Sequence, residues 1–413
     1  MVFLLLVSCC VLFSNWCESL KASKWHIQRR EEILKDHPWL LERYAKKDST
    51  TLPLLVATNG VNLFLAYAIG SQHLPLYETV PIGLTIGGTL SLWQFALLHD
   101  IKHGLADIPT SMNINDILFY GSQPSVFGYF LYLRFGHLSH HKDFGSIMLK
   151  DTFDSKKVNF EDGDILFTAH RQLHRGDRGA EGQRIKYFGK EAVGGRGLSI
   201  SRTFFSLLWR DANEEEQEND FNWAINLVVY TISMFFERMA LCVNDKVVAM
   251  FGFNFFFPEK PKEGFIDINV NYSRFAAFIH ALIFLMAGPQ ALLYLFCAEL
   301  GWQTPFHPGI AMFVSNHPSY YSSSSSEEIC QPTSSFYSEN KWYDFLVAYT
   351  NYHTEHHDFP DVPMRALPLL KNEASEFYDS LEGARYSFLD VLKKSFRGRS
   401  YYGCQGDTSN LFF

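Results

Sequence analysis

The chain has 413 residues and a formal net charge of -8, which argues against nucleic acid as a partner. Hydrophobic residues make up 47% of it, enough for one large domain or two ordinary ones, yet mean hydropathy is only -0.07 because greasy blocks alternate with strongly polar ones. The seven cysteines form no C-x-x-C pair and no even framework, so neither a zinc knuckle nor a disulfide scaffold is expected.

Residues 1–24 begin with an apolar run, Met1 to Phe13, that no basic residue precedes. It is short for a span of about 20 residues, and an interfacial anchor, an uncleaved signal and a mis-assigned start all fit it. Residues 25–41, WHIQRREEILKDHPWLL, read as a charged amphipathic helix. Uncharged apolar runs follow at 52–70 and 80–98, each close to the length that crosses a bilayer. Lys46 and Lys47 precede the first run and Glu78 is the charge between the two, so the positive-inside rule puts the N-terminus in the cytosol and returns the chain there at His99.

Ile114 to Phe135 is apolar but interrupted by Gly121, Pro124 and Gly128, and reads as lying in the membrane interface. A polar loop, 146–222, is expected to be cytosolic and partly disordered. Its His170 and His174 sit among arginines and read as solvated. Trp223 to Phe257 is apolar with Glu237, Arg238, Asp245 and Lys246 in its middle, charges too expensive for a simple span, so an in-plane helical pair is expected. Runs at 268–287 and 290–305, parted by Gly288-Pro289, read as a second transmembrane hairpin. A serine run, Ser322 to Ser326, reads as a loop, Leu367 to Leu392 has the periodicity of a helical cytosolic cap, and 401–413 is a tail. The expectation is an all-α integral membrane protein with four transmembrane helices in two hairpins and a cytosolic helical cap, residues 25–400 forming one domain.

Eight of the 16 histidines fall in three short blocks: His99 and His103; His137, His140 and His141; His353, His356 and His357. Spacings of i, i+3 and i+4 place imidazoles on one helical face. Two hairpins would bring all three blocks to one face of the membrane. Eight neutral imidazoles are too many for one zinc hydrolase site and suit two transition-metal ions. Two redox metals would allow O2 to attack an unactivated C–H bond, which acid–base side chains cannot do. Asp100, Glu355 and Asp358 adjoin the histidines and are candidates to orient their rings. A metal transporter is the competing class, but transporters place ionisable groups inside spans, whereas these histidines lie at span ends.

The three blocks resemble those of the membrane fatty-acyl and sphingolipid desaturase/hydroxylase superfamily. NYHTEHHDFPDVP (Asn351 to Pro363) is similar to the third histidine box of the sphingolipid Δ4-desaturases, and WHIQRREEILKDHPWL and RALPLLKNEASEFYDSL are similar to that family's N-terminal segment and C-terminal helix. The resemblance implies a four-span endoplasmic-reticulum enzyme, its catalytic face cytosolic, with two non-haem iron ions held by the eight box histidines. It implies O2-dependent introduction of a 4,5 trans double bond into dihydroceramide, with electrons from NADH through cytochrome b5 and its reductase. A sphinganine C4-hydroxylase or an acyl desaturase of the same superfamily is the alternative. Gly104 stands where the family commonly has Asn, and Met312 where it has a further histidine; His317 is the candidate for that extra ligand, with His307 second. His307-Pro308-Gly309-Ile310 lacks the second glycine of a haem-binding HPGG, so a separate cytochrome b5 is expected.

Overall fold

The computed structural model describes residues 25–126, 129–138, 141, 184–187, 190–193, 222–252, 264–316, 333–340, 342–381 and 383–396. Two helices come first, α1 (25–36) and α2 (Leu40–Tyr44), amphipathic as expected: Ile33 and Leu40 are fully buried while Ile27 and Trp39 are exposed. α3 (Thr51–Ser71) has 21 residues, about 31 Å of helix, and leaves Val56, Val61, Phe64 and Tyr67 on the surface. Exposed apolar side chains along such a length suit a hydrocarbon surround.

α4 (Leu76–Ile82), a π-helical turn (Gly83–Gly87) and α5 (Gly88–His103) form one continuous 28-residue rod. The π turn follows Pro81, which has no N–H to donate back along the helix, and Thr85 Oγ1 donates to the Pro81 carbonyl at 2.7 Å. α6 (Ile114–Gly121) starts at Asn113, whose side chain accepts the Asn115 N–H. α7 (Tyr129–Leu131) runs straight into a second π turn, Tyr132–Gly136. The segment expected as one interfacial stretch is thus two short helices.

The polar loop holds a local antiparallel hairpin, β1 (Arg184–Tyr187) with β2 (Lys190–Val193), Arg184 opposite Val193 and Tyr187 opposite Lys190. This adds strand to a chain expected to be wholly helical. The predicted helical pair at 223–257 is one unbroken rod from α8 (Asn222–Val243) through π and 3-10 turns to Phe251. Its charges explain why it holds: Arg238 and Asp245 are buried on one face, while Val228, Ile232, Phe235, Met239, Val243 and Val247 form an exposed apolar stripe. α9 (Phe265–Ala287) ends at Gly288 (φ 79°), and Pro289 opens α10 (Pro289–Gly301), whose 13 residues span only about 20 Å. Among the described residues four helices are long and apolar enough to cross a membrane: Thr51–Ser71, Leu76–His103, Trp223–Phe251 and Phe265–Ala287.

Small residues set the packing of these rods. A Cβ on Gly70 would stand 2.0 Å from the Ala287 carbonyl oxygen, so the C-terminal ends of α3 and α9 touch. A Cβ on Gly301 would stand 2.2 Å from the Leu84 oxygen, and one on Gly83 2.6 Å from the Cys297 Cβ, so α10 lies directly against the π turn. α8 meets the hairpin at both arms: Tyr230 OH donates to the Gln303 carbonyl at 2.8 Å, and Ser273 Oγ donates to the Asp245 carbonyl. α11 (Gly309–Ser315), α12 (His353–Asp358), α13 (Leu367–Glu373) and α14 (Phe388–Phe396) complete the chain, with Phe359, Leu367, Leu370 and Phe396 buried beneath them.

Candidate metal centre

The end of α5 presents His99 and His103 one turn apart, and the backbone then turns sharply at Gly104, φ 76°, where the Leu105 N–H closes on the Asp100 carbonyl at 3.0 Å. That left-handed position accepts Gly or Asn with least strain, which accounts physically for Gly104 where the resembling family has Asn. The second π turn delivers His137, with His141 one turn on. α12 supplies His353, His356 and His357.

Five of the expected eight converge. One ring nitrogen each from His99, His103, His137, His141 and His356 lies within 4.8 Å of all the others. His99, His137 and His356 are buried. His103 Nε2 is 2.8 Å from His137 Nε2, His141 Nε2 is 3.2 Å from His137 Nε2, and His356 Nε2 is 3.1 Å from His141 Nε2. His353 and His357 make a second pair, Nε2 to Nε2 3.1 Å, and the His357 ring lies 4.4 Å from that of His141. His141 therefore stands between the two groups. His140 and His317 lie outside the described residues, as do His170 and His174.

The arrangement fits a metal. Nitrogens bound at right angles to an ion about 2.1 Å away stand about 3.0 Å apart, the spacing seen here. An all-imidazole set suits iron, zinc or copper rather than magnesium or calcium. Burial holds His356 well below the usual histidine range, and the neighbouring His99, His141, His103 and His353 push the same way, so its ring stays in the neutral form that ligates.

The three carboxylates hold the scaffold rather than the rings. Asp100 accepts the Met364 N–H at 3.2 Å, tying the first block to the turn after the third, while its Oδ1 is 3.7 Å from His99 Nδ1. Glu355 is fully buried and accepts Ser335 Oγ at 2.5 Å and the Tyr337 hydroxyl; burial raises its carboxyl to about 7 against those two bonds. Asp358 pairs with His26 and Arg29. His26 escaped the sequence reading, since nothing local marks it; its ring lies 5.1 Å from that of His357. His307 has both ring nitrogens engaged, Nδ1 accepting the Gly309 N–H at 3.0 Å and Nε2 at 2.9 Å from Thr89 Oγ1, which leaves neither for an ion.

On the bilayer side of His99, Phe95 packs one turn back along α5, against Tyr129 at 5.3 Å and stacked on Trp302 at 6.1 Å. Tyr129 is close to Ser91 (3.1 Å) and accepts the Trp302 N–H at 3.3 Å.

A family model described as fatty acid desaturase matches residues 212–389. A sphingolipid delta(4)-desaturase DES1 of Xenopus tropicalis is 28% identical over 148 residues, 36% of this chain and 37% of the relative. Over these segments the chain is similar to fatty acid desaturases and, among them, to sphingolipid delta(4)-desaturases. It is also similar to the sphingolipid delta(4)-desaturase DES1 of Homo sapiens, 33% identical over 100 residues, 24% of this chain and 28% of the relative. A Rattus norvegicus protein named sphingolipid delta(4)-desaturase/C4-monooxygenase DES2 is 34% identical over 110 residues, 27% of this chain and 30% of the relative. The chain spans about a third of the length of these curated relatives. No solved structure matches.

Proposed function

We propose that this protein is a membrane sphingolipid Δ4-desaturase, acting on dihydroceramide to give ceramide. The observation that carries it is the convergence of histidines from three blocks, 99–103, 137–141 and 353–357, on one centre. The five-histidine group is the ligand set for one iron, and His353 and His357, with His140, belong to the second. Bound there, two irons would supply the electrons and Lewis acidity that activate O2. Desaturation takes two electrons from the substrate, and reduction of O2 to two waters needs two more, for which cytochrome b5 and its reductase are the proposed source, fed by NADH.

The residues beside the centre keep water out and position the chain. Phe95, Tyr129 and Trp302 wall the bilayer side of His99 with aromatic surface, against which the long-chain base would lie. The packing supports two hairpins. Gln303 and Ser273, which α8 touches, each lie 15 residues from Gly288, so α8 crosses the open end of the α9–α10 hairpin about 22 Å from its turn. That placement supports an in-plane α8, with its apolar stripe in the interface, and all three histidine blocks on the cytosolic face of the endoplasmic reticulum.

The name of the rat relative joins desaturase to C4-monooxygenase, which favours 4-hydroxylation as the second reading. Both begin at the same carbon. Expression in cells lacking Δ4 activity, with mass spectrometry of the long-chain bases, separates them. A 4,5-unsaturated base supports desaturation and a 4-hydroxy base the alternative. Absence of both products would overturn the proposal.

A further inference from the structure

α12 carries three of the histidines on six residues, little more than one and a half turns. A helix that short has no stability of its own, so its orientation must come from outside. Its entry is held nearby: Ser335 Oγ accepts the Thr354 N–H at 2.9 Å, and Asn351 Nδ2 donates to the Phe336 carbonyl at 2.8 Å. Its exit is held from the other end of the sequence. His26 Nδ1 lies 2.6 Å from Asp358 Oδ1, and Arg29 Nε donates to Asp358 Oδ2 at 3.1 Å. Arg30 grips Asp361 with both terminal nitrogens, at 2.8 and 2.9 Å, and its guanidinium lies over the Phe359 ring. The Asp358 side chain is fully buried, where a carboxylate is tolerated only with such partners. Arg29 in turn donates to the Phe377 carbonyl at 3.2 Å and lies over the Trp25 and Tyr378 rings, which fixes α1 on the cap. Finally, the His357 ring sits between two others, His141 at 4.4 Å and His26 at 5.1 Å.

We propose that α1 is a clamp on the metal centre, in which His26 and Arg29, through Asp358, are positioning residues that hold His357 against His353 and His141. Arg30 and Asp361 act as an outer, half-buried brace. The inference rests on the histidine cluster being a metal site, and it assigns to the N-terminal helix a task that belongs to neither membrane anchoring nor the histidine boxes. The order of His353 and His357 at the second ion depends on residues more than 300 positions away from them.

The test uses the full-length protein in nanodiscs. Ferrous iron binding is titrated and bound iron per chain counted for wild type, His26→Ala, His26→Asn, Asp358→Asn and Arg30→Gln. Asp358→Asn and His26→Ala should weaken the second iron by roughly tenfold or more, the size of effect that partners outside the ligand set usually have, and leave the first in place. His26→Asn puts an N–H near the Nδ1 position and should recover most of the loss, which a purely space-filling role would not predict. Arg30→Gln should change affinity less than threefold. Hydrogen exchange of the 353–359 amides, measured without iron, should quicken in His26→Ala. Should Asp358→Asn fail to fold, the His26 pair decides. Unchanged exchange and unchanged iron affinity in His26→Ala overturn the clamp. Wild type that binds no iron, with exchange still quickened in His26→Ala, overturns the metal reading and leaves the clamp standing.

Discussion

Gly301→Ala places one methyl where the structure has no room for it. A Cβ there would lie 2.2 Å from the Leu84 carbonyl oxygen and 2.9 Å from its Cα. The obstacle is backbone, so no rotamer change relieves it; α10 and the π turn must part by roughly 1.2 Å to reach ordinary contact. A gap of that size forfeits a quarter to a half or more of the dispersion energy of every atom pair across the interface, and overpacking of this kind typically costs about 1–3 kcal/mol. The shift also passes to Trp302, the next residue, whose ring stacks on Phe95 beside His99. Gly60→Ala is the internal comparison. It lies in α3 on the exposed side, and nothing stands within 4 Å of its added Cβ. There the methyl only improves helix propensity, by about 0.5–1 kcal/mol. Thermal unfolding of both variants in detergent, with turnover on the same preparations, should move the midpoint down for Gly301→Ala and leave or raise it for Gly60→Ala. Equal midpoints would refute the close crossing of α10 on the second membrane helix.

Replacing His356 by Ala should abolish turnover and lower bound iron, because its ring touches the others of the five-histidine group; normal product from that variant would remove the shared centre. His307 is buried neutral, its ring pushed down to about 4 by burial, and in the unfolded chain it returns to about 6.5. The unfolded state therefore binds more protons between those values, and stability should fall as pH drops from about 6.5 toward 4, by about 1–2 kcal/mol between pH 7 and pH 5; His307→Gln should flatten that slope in denaturant melts, and an unchanged slope would assign it elsewhere. Cysteines placed beside His99, His137 and His353 should react with an impermeant thiol reagent only once the cytosolic face is opened; labelling of any one from the lumen breaks the two-hairpin topology. Reconstitution with NADH, reductase and substrate should require added cytochrome b5, and full turnover without it would show another donor.

The parts of this molecule legible in sequence are those whose signal is local. The histidine blocks announce themselves because a helix brings i and i+4 together, and the membrane-length helices because the bilayer demands about 20 apolar residues in a row. α8 was harder: Arg238 and Asp245 in an apolar run suggested a break, but one unbroken rod buries both on a single face. The role of His26 was invisible for a different reason. Its partner Asp358 is 332 residues away, and neither residue is unusual where it stands. Glu355 and Asp358 were noticed for their neighbours, yet their carboxylates point at Ser335, Tyr337, His26 and Arg29, a direction that only tertiary packing decides.

The two π turns have a consequence for how such a chain can change length. One lies in the rod that ends in His99 and His103, the other immediately before His137. Each holds one residue more than an α-helical turn would, and one residue is worth about 100° of rotation. A π turn takes up that extra residue within one wider turn, so deleting a residue from Gly83–Gly87 would let the rod close as plain α-helix with His99 and His103 still near the centre, whereas a deletion in the α-helical stretch after Gly88 would swing them about a quarter-turn off it. Single-residue gaps should therefore be tolerated within the two π turns and, elsewhere in these helices, only when an insertion in the same helix restores the phase.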